Sequence, residues 1–328
     1  MTESRYPDYE KLYAEGLISD DSLKKIKQCQ LHPLFTVHWE IKTILYLGII
    51  LFTGGVGVLV YKNIDTIGHQ FILLLIALVS GGCLTYCFKY KKPFSRAKVQ
   101  SPNTFFDYVL LLGAITLLIF VGYLQYQYNV FGNNYGLATF IPMLALFYMA
   151  YSFDHAGILN MAIVNLGLWL GVTATPQHLL DAGTFNNQGI IYTYLGFGVL
   201  SLASAWLTQK YIFKKHFKFS YEHYGIHMCM VALLAGYFSN YDGGTSILWL
   251  MMLLALAAAI FQDAYKEKSF YFLLLTVLYG YVTISIIAVR LIIVTQDAII
   301  LLGPMYFIGS SVCLIMFLIN LNKKIKTV

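Results

Sequence analysis

Two apolar runs of about 20 residues, Thr43–Tyr61 and His69–Phe88, flank the polar stretch Lys62-Asn63-Ile64-Asp65-Thr66-Ile67-Gly68. That is the length an α-helix needs to cross a hydrocarbon layer roughly 30 Å thick, so the pair predicts a helical hairpin in a membrane. The next stretch carries Lys89, Lys91, Lys92, Arg96 and Lys98. A short loop this basic is retained on the cytosolic side, which orients every later span.

The composition agrees with that class. Hydrophobic residues make up 58% of the chain and charged residues 12%, against about 25% charged in soluble domains. Most of the surface must therefore face lipid. Of the 22 Lys and Arg, all but Lys62 and Arg290 fall in segments assigned here to the cytosol, so the net charge of +6 is a topology signal. It also favours anionic lipids at the cytosolic loops and does not indicate a nucleic-acid partner. Cys29, Cys83, Cys87, Cys229 and Cys313 are scattered, four of them within predicted spans, and form no disulfide framework. No cofactor is expected.

Residues 1–42 are polar, with no apolar core or cleavage site of a signal peptide. Gly16 suits a helix C-terminus, and Ser19 before Asp20 and Asp21 suits the start of the next. The segment is predicted as a cytosolic pair of short helices followed by an interfacial connector containing Pro33, Phe35, His38 and Trp39. Residues 43–328 form the transmembrane domain.

Leu12-Tyr13-Ala14-Glu15-Gly16-Leu17-Ile18-Ser19, followed by Gly57-Val58-Leu59-Val60-Tyr61-Lys62-Asn63-Ile64-Asp65, resembles a family of bacterial polytopic membrane proteins of unknown function. Its members open with such a helical pair and end their first span in an Asn-Trp-Asp turn, where this chain has Asn63-Ile64-Asp65. The resemblance covers roughly the first 100 residues. It implies a bacterial membrane protein; the expected location is the inner membrane, as a multi-pass protein with both termini cytosolic.

Eight more spans are predicted, at 104–124, 137–151, 157–174, 190–209, 222–239, 246–262, 270–290 and 299–320. The fold class is all-α, a polytopic membrane protein of about ten transmembrane helices. Alternation then puts both termini and the clusters at Lys210–Lys218, Lys266–Lys268 and Lys323–Lys326 in the cytosol. Span 137–151 is the least regular, because Pro142 suits a first helical turn better than an interior one. Glycines 48, 54, 55, 57, 81 and 82 give the first two spans surfaces for close helix approach.

The polar residues form two groups. Asn63 and Asp65, in the short turn, cap the neighbouring helix ends or hold a ligand. Asn160 and Asn165, inside the fifth span, hydrogen-bond between helices or line a ligand path. On the cytosolic side stand Asp107, Asp154, His155, Glu222, His223 and His227. His223 and His227, four apart, present both imidazoles on one helix face at metal-ligand spacing, with Glu222, Asp154 and His155 the nearest further ligands by side of the membrane. A polar network closing the helix ends competes with a metal site for these residues.

No nucleophile motif, phosphate loop or pair of catalytic carboxylates is present, and no catalytic residue is assigned. The expected function is a small permease-like or ligand-binding membrane protein. One alternative is a scaffold or regulator working through the amino-terminal helices, as a homo-oligomer or with a membrane partner. A metal-dependent intramembrane hydrolase built on His223 and His227 is the other.

Overall fold

The computed structural model describes residues 13, 15–31, 38–62, 68–132, 134–174, 188–241, 243–294 and 299–327. Among these there are eleven α-helices and no strands. The chain divides into two compact units, Met1–Asn63 and Ile64–Val328.

The first unit holds α1 (Asp20–Leu31) and α2 (His38–Lys62). Gly16 adopts φ +73°, the left-handed region that glycine enters at little cost, and its N–H bonds the Tyr13 carbonyl at 3.0 Å. Ser19 then caps α1, its Oγ accepting from the Ser22 N–H at 3.3 Å, with Asp20 and Asp21 in the positive first turn. Asn63 and Asp65 lie outside the described residues.

The second unit contains α3 (His69–Tyr90), α4 (Thr104–Tyr128), α5 (Tyr135–Phe153), α6 (Ala156–Ala174), α7 (Gln188–Lys210), α8 (Lys218–Ser239), α9 (Ser246–Lys266), α10 (Phe270–Val294) and α11 (Ile299–Thr327). With α2, these are ten helices at the ten predicted spans. Eight are long and apolar enough to cross a membrane. The other two differ for identifiable reasons. The apolar part of α6 is the shorter Ala156–Gly171, and α8 begins with Lys218, Glu222 and His223, four residues earlier than its predicted start. Pro142 lies inside α5 rather than in its first turn. Membrane helices tolerate this because neighbouring groups satisfy the carbonyl that the missing N–H leaves free.

Two apolar cores share α7 and α8. One collects Cys87, Phe106, Leu110, Leu146, Phe153, Leu159 and Ile163 from α3 to α6, with Phe197 of α7 and Tyr221 of α8. The other joins Met230, Leu233 and Tyr237 of α8 to Trp249 and Leu253 of α9 and Leu273 of α10. The central α7–α8 contact depends on facing glycines. A Cβ on Gly198 would stand 2.8 Å from the Cys229 backbone nitrogen, and one on Gly225 would stand 3.0 Å from that of Leu202. By contrast, a Cβ on Gly81 or Gly82 would meet no described atom within 4 Å, so close approach falls at different glycines from those predicted.

Successive helices run in opposite directions, which gathers the loops at 91–103, 154–155, 211–217 and 267–269 at one end of the second unit. Bonds at this end confirm it: the Lys214 N–H donates to the Arg96 carbonyl at 2.8 Å, and Gln209 Nε2, in the last turn of α7, donates to Glu267 Oε1 at 3.3 Å. This is the lysine-rich end.

Candidate functional site

Asp154 is the centre of the lysine-rich end, and local structure puts it there. It terminates α5 in the left-handed conformation, φ 58°, which Asp tolerates better than most residues. His155 follows and starts α6, its Nδ1 accepting from the Ile158 N–H at 3.2 Å. One residue thus ends a helix and the next caps another, and the tight link directs the Asp154 carboxylate inward.

Both carboxylate oxygens are engaged. Oδ2 meets Lys214 Nζ at 2.9 Å and also accepts from the Val99 N–H, while Oδ1 meets His216 Nε2 at 2.5 Å. The Asp154 and Lys214 side chains are 2% and 1% exposed. Lys214 also lies 4.9 Å over the Phe94 ring. Three loops distant in sequence are therefore joined through one buried acid. Burial holds the His216 imidazole below its ordinary pKa, and Lys214 and Lys98 add to this while Asp154 opposes it. The charges explain the balance: Asp154 and Lys214 already neutralise each other, so a protonated His216 would have no counter-charge of its own. Neutral His216 donates from Nε2 to the carboxylate.

Beside this cluster a second charged group surrounds a cleft of about 250 Å³ lined by Trp206 and Gln209 of α7, Glu222 and Ile226 of α8, and Asp263 and Glu267 at the end of α9. Oxygens of Glu222, Asp263 and Glu267 lie within 4.8 Å of one another. Lys218 pairs with Glu222 at 3.2 Å and also with Glu267. Among the described residues no basic group pairs with Asp263. Two acids four apart at a helix C-terminus repel each other and oppose the helix dipole, and Lys218, paired with Glu267, offsets part of that.

The predicted site residues do not assemble as one group. Asp154 and His155 serve the loop cluster and the α6 cap, and Glu222 joins the acidic cleft. His223 and His227 face α10, where their Nδ1 atoms lie 2.6 Å from the Tyr271 hydroxyl and 2.9 Å from that of Tyr279. Their rings are 4.7 Å apart at 75°, and each retains Nε2 as its other nitrogen. Asn165 is buried on α6, and among the described residues neither its Oδ1 nor that of Asn160 meets a donor. Five residues apart on a helix is about 140° of rotation, so the two amides point in different directions, and the intervening Ala162 and Ile163 are buried in the apolar core. Asp107 accepts from Ser101 Oγ at 2.5 Å.

Sequence inspection missed Lys214, His216, Lys218, Asp263 and Glu267. The lysines were legible only as topology charges, because nothing in a lysine-rich loop distinguishes the buried member from the solvated ones. Asp263 and Glu267 did leave a signal, two acids four apart where a helix end favours bases.

Fold and site together define an all-helical polytopic membrane protein. Residues 10–159 match the model of a family described as a predicted membrane protein, DUF2157, whose function is unknown. The match extends beyond the first 100 residues to include Asp154 and His155 but stops before Lys214 and the acidic cleft. No curated protein and no solved structure matches the chain.

Proposed function

We propose that this protein is a permease-like, ligand-binding protein of a bacterial inner membrane, with both termini and the lysine-rich end in the cytosol, and that it receives a small cationic solute in the cleft between α7, α8 and α9. The observation that carries the reading is the cleft itself, about 250 Å³, where the oxygens of three carboxylates lie within 4.8 Å of one another and a single lysine pairs with two of them. A surplus of negative charge beside the apolar Ile226, Ile260 and Phe272 favours a compact cation over a neutral or anionic solute. Anionic lipids meet the exposed lysines around it.

Calorimetric titration of the purified protein in neutral detergent with putrescine, choline or magnesium chloride, each alone, tests this reading. At least one should bind saturably, and Asp263→Asn combined with Glu267→Gln should weaken that binding about tenfold or more, the loss expected when charge-assisted hydrogen bonds are removed. Absence of saturable binding by all three would overturn it.

A further inference from the structure

The opposite end of the second unit contains a different kind of cavity. Arg290 lies three residues before the end of the apolar stretch Phe270–Ile293 of α10, at the depth of lipid headgroups. Its Nη1 donates to Ser246 Oγ at 3.2 Å and its Nη2 to the Tyr241 carbonyl at 3.3 Å, and the guanidinium lies 4.9 Å over the Tyr241 ring. These partners are all neutral, and among the described residues no carboxylate pairs with Arg290. A guanidinium has five N–H donors in a planar fork, so several remain for an anion.

From Arg290 a groove of about 420 Å³ runs along α10 past Val289, Ile286 and Val282 to Tyr281, with Phe238 and Phe307 as walls. Nine residues of helix span about 13.5 Å, close to the roughly 15 Å hydrocarbon depth of one leaflet. Two of the hydroxyls along it are paired, Ser285 Oγ 3.0 Å from the Tyr306 hydroxyl and the Tyr281 hydroxyl 3.0 Å from Ser310 Oγ, while the buried Tyr237 hydroxyl meets no partner among the described residues. Among the described residues the groove is thus largely apolar, with the Arg290 cation at its mouth. A charge at this depth is costly without a counter-ion, and a phosphodiester offers bidentate acceptors.

We propose that this groove binds one anionic phospholipid of the leaflet opposite the lysine-rich end, with its phosphate on Arg290 and an acyl chain along Val289, Ile286 and Val282. An apolar groove alone would take any lipid, whereas an arginine with no carboxylate partner among the described residues selects for negative charge. Native mass spectrometry of the full-length protein, titrated with dioleoylphosphatidylglycerol and separately with dioleoylphosphatidylcholine, tests it. The wild type should retain phosphatidylglycerol at least about tenfold more tightly than phosphatidylcholine. Arg290→Gln should lose one preferred lipid per chain. Val282→Trp, at a position 42% exposed in the groove, should lose the same lipid with Arg290 intact. Because that side chain is partly exposed, this variant keeps the test decisive should Arg290→Gln fail to fold. Equal retention of the two lipids by the wild type overturns the proposal, as does retention of the lipid by either folded variant or its displacement by an equal concentration of inorganic phosphate.

Discussion

The two ends of the second unit are fastened by different physics. At the lysine-rich end, a carboxylate and an ammonium almost fully removed from solvent join loops that lie up to about 120 residues apart. At the other end, among the described residues, no ion pair is present: Arg290 bonds only the neutral Ser246 and Tyr241, and neutral groups carry the rest. Gln125 alone donates to Asn129 Oδ1 at 2.8 Å and to the Gly132 carbonyl at 3.1 Å, and accepts from the Phe131 N–H at 2.9 Å. The contrast teaches that a lysine of the positive-inside pattern can also be a structural residue. Lys214 is buried while its neighbour Lys215 is exposed, though topology treats them alike.

That difference should appear first in the cost of breaking each end. Lys214→Met leaves Asp154 buried without its cation and is expected to destabilise the protein by about 3–5 kcal/mol, measured by thermal or denaturant unfolding in detergent. Gln125→Ala frees neutral groups only and should cost roughly 1–3 kcal/mol. If the two costs were equal, the distinction between charged and neutral fastening would fail.

A smaller, pH-dependent effect sharpens the comparison. Burial lowers the His216 pKa in the folded protein, and on unfolding it returns to its ordinary value of about 6.5. Protons therefore bind the unfolded state more readily. The contribution is fully present above the unfolded pKa and is lost as pH falls through it toward the folded value. Hydrogen-exchange protection at the lysine-rich loops, corrected for the intrinsic rate, should fall below about pH 6.5, and His216→Gln should flatten that dependence. A rise in protection on acidification would show that Asp154 dominates the imidazole instead.

Much of this architecture was legible because a membrane imposes long apolar helices. The ten predicted spans coincide with ten helices, and the boundaries moved mainly where polar residues extend a helix beyond its apolar core, as at Lys218. The close-approach glycines were not legible: Gly198 and Gly225 differ from Gly81 and Gly82 only in what faces them. Among the predicted site residues, Asp154 was singled out for its place in a tight turn, yet its partners come from loops 55 and 60 residues away in the chain, set by tertiary packing. Glu222 likewise drew notice beside two histidines, while its cleft partners lie on α9. Spacing within one helix reveals neighbours on that helix and says nothing of the helix packed against it.

The lysine-rich end depends most heavily on the Asp154–Lys214 pair acting as one unit. A double-mutant cycle with Asp154→Asn, Lys214→Met and the combined variant, read by unfolding free energy, measures that directly. The predicted result is two costly single variants and a double variant more stable than their sum implies, with a coupling of at least about 2 kcal/mol. Additivity within about 0.5 kcal/mol would contradict it and would reduce the buried pair to two independent contacts.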